Sequence, residues 1–208
     1  MALRRKGKVV DPNITKRNEL LMEKVASGLE SRGMRAYCAS SREGALSLAL
    51  GMIPEGSSVG IGGCMSAREI GLYEVLENGP YTFEDHGPTQ GIDWFISSAN
   101  AITEDGVIVN IDGNGNRVSA IACGPRKVLF IVGMNKVCDD VDGAMKRARN
   151  VAAPINAQRF DLGTPCRKAG SCFDCKSPDS ICCQFLITRF NRNADRIHVI
   201  LVNDDLGF

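Results

Sequence analysis

Three short runs set the terms for any fold this chain can adopt: Val107–Ile111 (VIVNI), Lys127–Val132 (KVLFIV) and His198–Val202 (HVILV). Each is rich in β-branched residues and is followed by Gly, Asn or Asp, which marks strands ending in turns. KVLFIV is almost wholly apolar. Successive strand residues point to opposite sides, so such a run predicts a sheet covered on both faces. Helical patterns lie between the strands. Leu20, Leu21, Val25 and Leu29 recur near helical spacing over Ile14–Leu29, closed by Ser31-Arg32-Gly33. Ser40 or Ser41 is placed to cap a helix over Arg42–Met52. Ser66, with Glu69 three residues on, is placed to cap one running to about Leu76. A helix over Asp140–Ala152 carries Lys146, Arg147 and Arg149 and stops before Pro154. Met34–Ala39, Ser58–Ile61, Asp93–Ser98 and Gln184–Phe190 read as further strands, and residues 79–91 as a surface loop. This alternation predicts an α/β fold around a mainly parallel sheet.

The chain has 208 residues, which suits one domain with a sizeable core. Residues 1–12, with Arg4, Arg5, Lys6 and Lys8, read as a flexible basic arm, and residues 13–208 as a single domain. A net charge of +1 gives no basis for nucleic acid or an anionic membrane as partner. No stretch reaches the roughly 18 apolar residues of a membrane span, and no apolar run follows the basic start as in a secretory signal. The expected location is therefore cytoplasmic, where thiols stay reduced.

That setting makes the cysteines informative. Of nine, five lie in the polar stretch 164–184, at Cys166, Cys172, Cys175, Cys182 and Cys183. The first four read C-x5-C-x2-C-x6-C. A loop this polar has no hydrophobic reason to hold so many thiols, and a reducing compartment and an odd total disfavour disulfides. Converging thiolates suit zinc or an iron–sulfur cluster, both of which take soft sulfur ligands. Zinc knots usually pair two short C-x2–4-C units. Only Cys172-x2-Cys175 is such a unit here, and uneven spacing is commoner around a larger cluster. The metal ligands expected are Cys166, Cys172, Cys175 and Cys182, with Cys183 an alternative fourth.

A second candidate site lies between the strand Ser58–Ile61 and the helix that follows. There the Gly62-Gly63 turn meets a helix start, whose free N–H groups and dipole favour an anion. Glycine can also be there for backbone reasons alone. The pattern is not G-x-G-x-x-G, so a dinucleotide site is not indicated. Cys64 sits beside the turn. Polar residues at strand ends, where open α/β sheets bind ligands, include Asn100, Glu104, Asp105, Asn110, Asp112, Asn114 and Asn116; Asp105 reads better as a turn former. Gly62, Gly63, Cys64, Ser66, Asn110, Asp112 and Asn116 are the ligand-binding candidates. Asn100, Glu104 and His86 are the catalytic ones, His86 as a loop base or metal ligand beside Glu84 and Asp85, or simply a solvated residue. Arg149 and Arg159 are available to an acidic ligand.

SANAITEDGVIVNIDGNGNRVSA (98–120), RNVAAPINAQR (149–159), TPC…SCFDCKSPDSIC (164–182) and VILVNDDLG (199–207) together resemble the LUD domain, the lactate-utilisation family that includes lactate utilisation protein C. The likeness runs from about Ile14 to the end. It implies a Rossmann-like three-layer α/β/α sandwich of the type seen in ribose-5-phosphate isomerase, glucosamine-6-phosphate deaminase and CoA transferases, with the cysteine-rich loop inserted before the final strands. It also implies that Val59–Gly63 is the glycine loop beside the ligand. Ser98–Gly106 resembles the segment that carries an acidic catalytic residue in sugar-phosphate isomerases. Asn100 stands in that place, and an amide takes up no proton, which counts against isomerase chemistry.

The family context favours iron over zinc. It implies a 4Fe–4S protein, a redox or accessory subunit in the oxidation of L-lactate or a related small hydroxy acid. Other iron–sulfur subunits of a lactate-oxidising complex are the implied partners, and a homo-oligomer is compatible. As an enzyme it would be an oxidoreductase or a cluster-dependent lyase. Two other readings stay open: a zinc-stabilised non-catalytic partner or regulator, and a non-redox sugar-phosphate or CoA-ester enzyme.

Overall fold

The computed structural model describes residues 11–85 and 90–208; residues 1–10 of the basic arm, and His86, lie outside the described residues. Helix α1 (Pro12–Ser31) starts where the Asp11 carboxylate accepts the Asn13 N–H at 2.8 Å and Pro12 supplies a helical φ. Pro12 thus belongs to the helix and not to the arm. There follow β1 (Arg35–Ala39), α2 (Arg42–Met52), β2 (Ser58–Ile61), α3 (Met65–Glu69), α4 (Leu72–Asn78), β3 (Thr82–Asp85) and β4 (Trp94–Ser97). Then come β5 (Ala101–Thr103), β6 (Ile108–Asp112), α5 (Asn116–Ala122), β7 (Lys127–Gly133), β8 (Val137–Cys138) and α6 (Val141–Arg147). A π turn (Ala148–Ala152) leads into α7 (Ala153–Ala157), α8 (Pro165–Ala169), β9 (Gln184–Thr188) and β10 (Ile197–Val202).

Among the described residues, six strands form a parallel sheet in the order β1-β10-β7-β4-β2-β3. Strict alternation fills both of its faces. Val128, Phe130, Val132, Val199 and Leu201 pack with Val25 and Leu29 of α1 and Ile121 of α5. Leu129, Ile131, Ile200 and Val202 pack with Ala45 and Ala49 of α2, Ala67 of α3 and Leu72 and Leu76 of α4. The result is a mixed α/β, Rossmann-like α/β/α arrangement. No described helix is long and apolar enough to cross a membrane.

The sequence did not foresee the second sheet, in the order β8-β5-β6-β9, in which β6 runs antiparallel to both β5 and β9. VIVNI lies here, not in the main sheet. It is buried on both faces because Ile102 and Ile108 join the core under α1, while Ala101, Val109 and Ile111 pack against Ala144 and Ala148 of α6 and the π turn. The β5–β6 turn touches α1 backbone to backbone: a Cβ on Gly106 (φ +87°) would come within 2.4 Å of the Leu29 nitrogen.

Three helix boundaries also differ from expectation. The helix expected from Ser66 to Leu76 breaks at Gly71, φ +84°, and its cap is Cys64, whose Sγ accepts the Ala67 N–H at 3.4 Å. The Glu69 carboxylate is engaged elsewhere, by the Gly207 N–H at 3.2 Å and Arg42 at 3.9 Å. Pro154 does not end its helix; it occupies the first turn of α7, which continues the π turn. The loop expected over 79–91 contains the edge strand β3.

Candidate functional site

Strands β2, β4 and β7 are parallel neighbours, so the segments that follow them emerge at one end of the sheet. Gly62–Cys64, Ser98–Asn100 and Lys136 line a cavity there of about 370 Å³, completed by Asp112, Arg117, Arg159 and Phe208. This is where open α/β sheets hold ligands. Gly62 has no room for a side chain: a Cβ would meet the Phe95 ring at 3.0 Å and the Arg117 stem at 3.2 Å.

Lys136 is the central group. It follows β7 through a single 3-10 turn (Met134–Lys136) and is 3% exposed. Its Nζ donates to Ser66 Oγ at 3.1 Å and to Ser98 Oγ at 2.9 Å, and the Ser98 hydroxyl bonds onward to the Ile131 carbonyl at 2.7 Å. Among the described residues, no carboxylate stands within ion-pair distance of this ammonium. Burial therefore lowers its pKa from 10.5 to about 8, with Arg147 and Arg117 adding to the fall and the Glu69 carboxylate opposing it.

Arg117, on α5, brings a second cation. It donates to Asn100 Oδ1 at 3.2 Å, to the Ser98 carbonyl at 3.4 Å and to the Ile111 carbonyl. Desolvation lowers its pKa, Asp112 opposing. The Asp112 carboxylate is itself engaged by the Arg117 and Val118 amides at 2.9 and 3.2 Å, which fastens the start of α5. Arg147 holds the floor from behind through the Asn100 and Asn135 carbonyls at 2.5 and 2.9 Å. Arg159 stands at the rim, bonded to Asn156 Oδ1 at 3.0 Å and 5.9 Å from the Phe208 ring centre. Burial pushes the Cys64 thiol up in pKa, so it stays protonated. The chamber is small, polar and cationic. It can seat one small anion.

Of the candidates named from sequence, Gly62, Gly63, Cys64, Ser66, Asn100, Asp112 and Asn116 line this cavity. Asn110 stands behind the wall, its amide donating to the Ser98 carbonyl at 2.9 Å while Oδ1 is buried with no hydrogen-bond partner among the described residues. Glu104 lies elsewhere, ion-paired to Lys24. Sequence reasoning missed Lys136 and Arg117. Lys136 carried a usable signal, since a lysine three residues past the most apolar strand lands at the sheet's carboxyl end. Arg117 did not, because its helix, α5, was not expected from the sequence.

The cysteines gather at a second cavity, of about 310 Å³, lined by Cys166, Cys172, Cys175 and Cys182 with Arg149, Phe173 and Phe185. All nine cysteines are free thiols. Burial, and then the fields of Cys172, Cys166 and Cys175, raise the Cys182 pKa to about 11, Arg149 opposing. Arg149 reaches Cys172 Sγ at 3.7 Å, and the Asp174 N–H does so at 3.4 Å. Of the adjacent pair, Cys182 lines the cavity, while Cys183 is exposed and its N–H bonds to the Asp112 carbonyl at 2.9 Å. Among the described residues, no three His, Cys, Asp or Glu side chains are grouped so as to hold a single metal ion. The two cavities share a wall: Ile181 lines the first, and its neighbours Ser180 and Cys182 line the second.

None of the curated proteins matches the chain. In fold it is similar to the crystal structure of a DUF162 family protein from Deinococcus radiodurans, at TM-score 0.51 and 14% identity, over 89% of this chain and 98% of that one. The sequence model of the LUD domain covers residues 22–202, which takes in the main sheet, the cysteine loop, the second cavity and the first cavity except Gly207 and Phe208. By that match the chain belongs to the LUD domain family.

Proposed function

We propose that the chain is an iron–sulfur LUD-domain subunit whose cationic cavity binds the carboxylate of L-lactate or a related small 2-hydroxy or 2-keto acid. Family membership suggests a function related to lactate utilisation. The observation that carries the ligand class is the Lys136 ammonium, buried in the same chamber as Arg117 and, among the described residues, in no ion pair, Glu69 acting on it only from beyond ion-pair distance. Isolated buried charges are costly, and a carboxylate held by Arg117 in the same chamber as Lys136 offsets the local excess of positive charge. The chamber of about 370 Å³, bounded by Phe208 and Ile181, has room for such an acid and for a larger one, so the cations and not the volume carry the ligand class. Asn100, with its Oδ1 accepting from Arg117 and from the Ile111 N–H at 2.8 Å, orients that guanidinium and has no proton to trade.

The donor set of the second cavity fits an iron–sulfur cluster. A tetrahedral zinc would draw four sulfurs to about 3.8 Å from one another, given Zn–S of about 2.3 Å. Four cysteines line one cavity of about 310 Å³, and their uneven spacing together with the family context is what supports a cluster over zinc. Cys166, Cys172, Cys175 and Cys182 would hold it, and it would supply one-electron chemistry or stiffen the loop. Arg149 would offset the negative charge of the thiolates. Other iron–sulfur subunits of a lactate-oxidising complex are the proposed partners.

The test is anaerobic purification with iron and acid-labile sulfide analysis, followed by calorimetric titration with L-lactate, pyruvate and ribose 5-phosphate. The expected result is iron and sulfide, lost in Cys182→Ser and kept in Cys183→Ser, and binding of the acids that Lys136→Met abolishes. Colourless protein with one zinc per chain would overturn the cluster. Binding of the sugar phosphate and neither acid would overturn the ligand class.

A further inference from the structure

A buried lysine that binds a carboxylate needs only its charge, yet the surroundings of Lys136 provide for more. Its Nζ is held by two hydroxyl oxygens, Ser66 Oγ and Ser98 Oγ, which are themselves 3.2 Å apart. Neither is a base strong enough to pin the amine in its charged form. Space beside the nitrogen is kept by Gly207, φ +56°, where a Cβ would stand 3.3 Å from Nζ and 3.1 Å from Ser66 Oγ. Arg117 lines the same chamber, its guanidinium anchored to Asn100, Ser98 and Ile111, and is free of any substrate role except holding an anion. An acid whose carboxylate is taken by Arg117 lies in the same chamber as this amine, while the lining carboxylate, Asp112, is engaged by the Arg117 and Val118 amides.

We propose that Lys136 forms a protonated imine with the C2 carbonyl of a 2-keto acid seated in this cavity. The inference rests on the reading that the cavity binds small 2-hydroxy or 2-keto acids, and deepens it. The neutral amine attacks C2, forming the N–C bond while the carbonyl π pair moves to oxygen, which takes a proton through the Ser66–Ser98 hydroxyl pair. The nitrogen lone pair then expels that oxygen, which leaves as water with a second proton, the one that the Lys136 ammonium gave up on becoming neutral. One ammonium and one ketone give one protonated imine and one water, so no oxidant or reductant is needed. With its pKa near 8, about a tenth of the amine is neutral at pH 7, as desolvated nucleophilic lysines require. The imine draws electrons from C3, so the C3 hydrogens become exchangeable with solvent. A 2-hydroxy acid has no carbonyl and binds without reacting.

The experiment treats the full chain with pyruvate and sodium borohydride, which reduces an imine to a stable secondary amine, and locates the product by intact mass and peptide mapping. A parallel calorimetric titration with pyruvate, without borohydride, reads binding alone. The expected result is one reduced adduct per chain on Lys136, suppressed by excess L-lactate and absent when L-lactate replaces pyruvate. Deuterium should enter the pyruvate methyl group with wild type and not with Lys136→Arg. Binding heat without an adduct, or adducts confined to other lysines, would overturn the imine and leave the acid site standing. Neither heat nor adduct would overturn both.

Discussion

Replacing Lys136 by Met separates what this side chain costs the fold from what it does for a ligand. Methionine has a similar length, no charge and enough flexibility to fill the space. In the folded chain the pKa of Lys136 falls from 10.5 to about 8. Each pH unit of difference is worth about 1.4 kcal/mol, so keeping the ammonium buried at pH 7 costs about 3 kcal/mol. The two serine hydrogen bonds lost in the variant return about 1 kcal/mol each, although Ser98 keeps its bond to Ile131. The net expectation is a variant about 1–2 kcal/mol more stable than wild type at pH 7. The sign follows from proton binding: between pH 8 and 10.5 the unfolded chain holds the proton and the folded chain does not, so wild-type stability rises with pH in that window. Urea unfolding of both proteins at pH 7, 9 and 10.5 tests this, because other titrating groups cancel in the difference. The variant's advantage should disappear, and then reverse, as the pH approaches 10.5. A variant less stable at pH 7, or a difference that ignores pH, would refute the reasoning. Excess pyruvate should stabilise wild type alone, by the usual linkage of ligand to folded state.

Other perturbations probe the frame around the site. Gly106→Ala forces a Cβ onto the backbone of α1 at a left-handed φ and should cost 3 kcal/mol or more, roughly the range of strongly destabilising single changes; an unchanged urea midpoint would deny the contact. Arg196→Met removes the donors to the Ala120, Ile121 and Pro125 carbonyls, at 2.9, 2.7 and 3.3 Å, and should cost about 2 kcal/mol, as charged hydrogen bonds do. His198 is buried between Tyr37 and Trp94, and burial holds its pKa below 6.5. The unfolded chain therefore takes its proton first, and wild type loses stability as pH falls below about 6.5. His198→Phe should flatten that loss in thermal unfolding between pH 5 and 7.5, and an identical slope would rule it out.

Periodicity made the main sheet readable. KVLFIV and HVILV became β7 and β10 at the centre, because a strand covered on both faces has no choice but to be apolar throughout. Ser41, one of the two serines expected to cap α2, does so, whereas Asp11, which caps α1, was read as part of the arm. VIVNI showed the limit of that reading, since a run buried on both faces looks the same in a parallel main sheet as in a small antiparallel one. Pairing partners, not composition, decide between them. The glycine turn and the cysteine loop announced themselves by residue type. Lys136 was marked only by its place after β7 and Arg117 not at all, because a cation becomes notable only when the fold takes away its water. Cys182 and Cys183 were indistinguishable in spacing, and only the turn that bonds the Cys183 amide to Asp112 sets them apart.

That same turn has a thermodynamic consequence. Ile181 and Cys182 are joined by one peptide, and a Cβ on Gly113 would lie only 3.2 Å from the Ile181 Cα. A metal, oxidation or alkylation that displaces the Cys182 backbone would also shift Ile181, the apolar wall of the first cavity. Linkage then runs both ways: if loading the thiols changes the chamber's affinity for an acid by some factor, the acid changes the thiols' affinity for their ligand by the same factor.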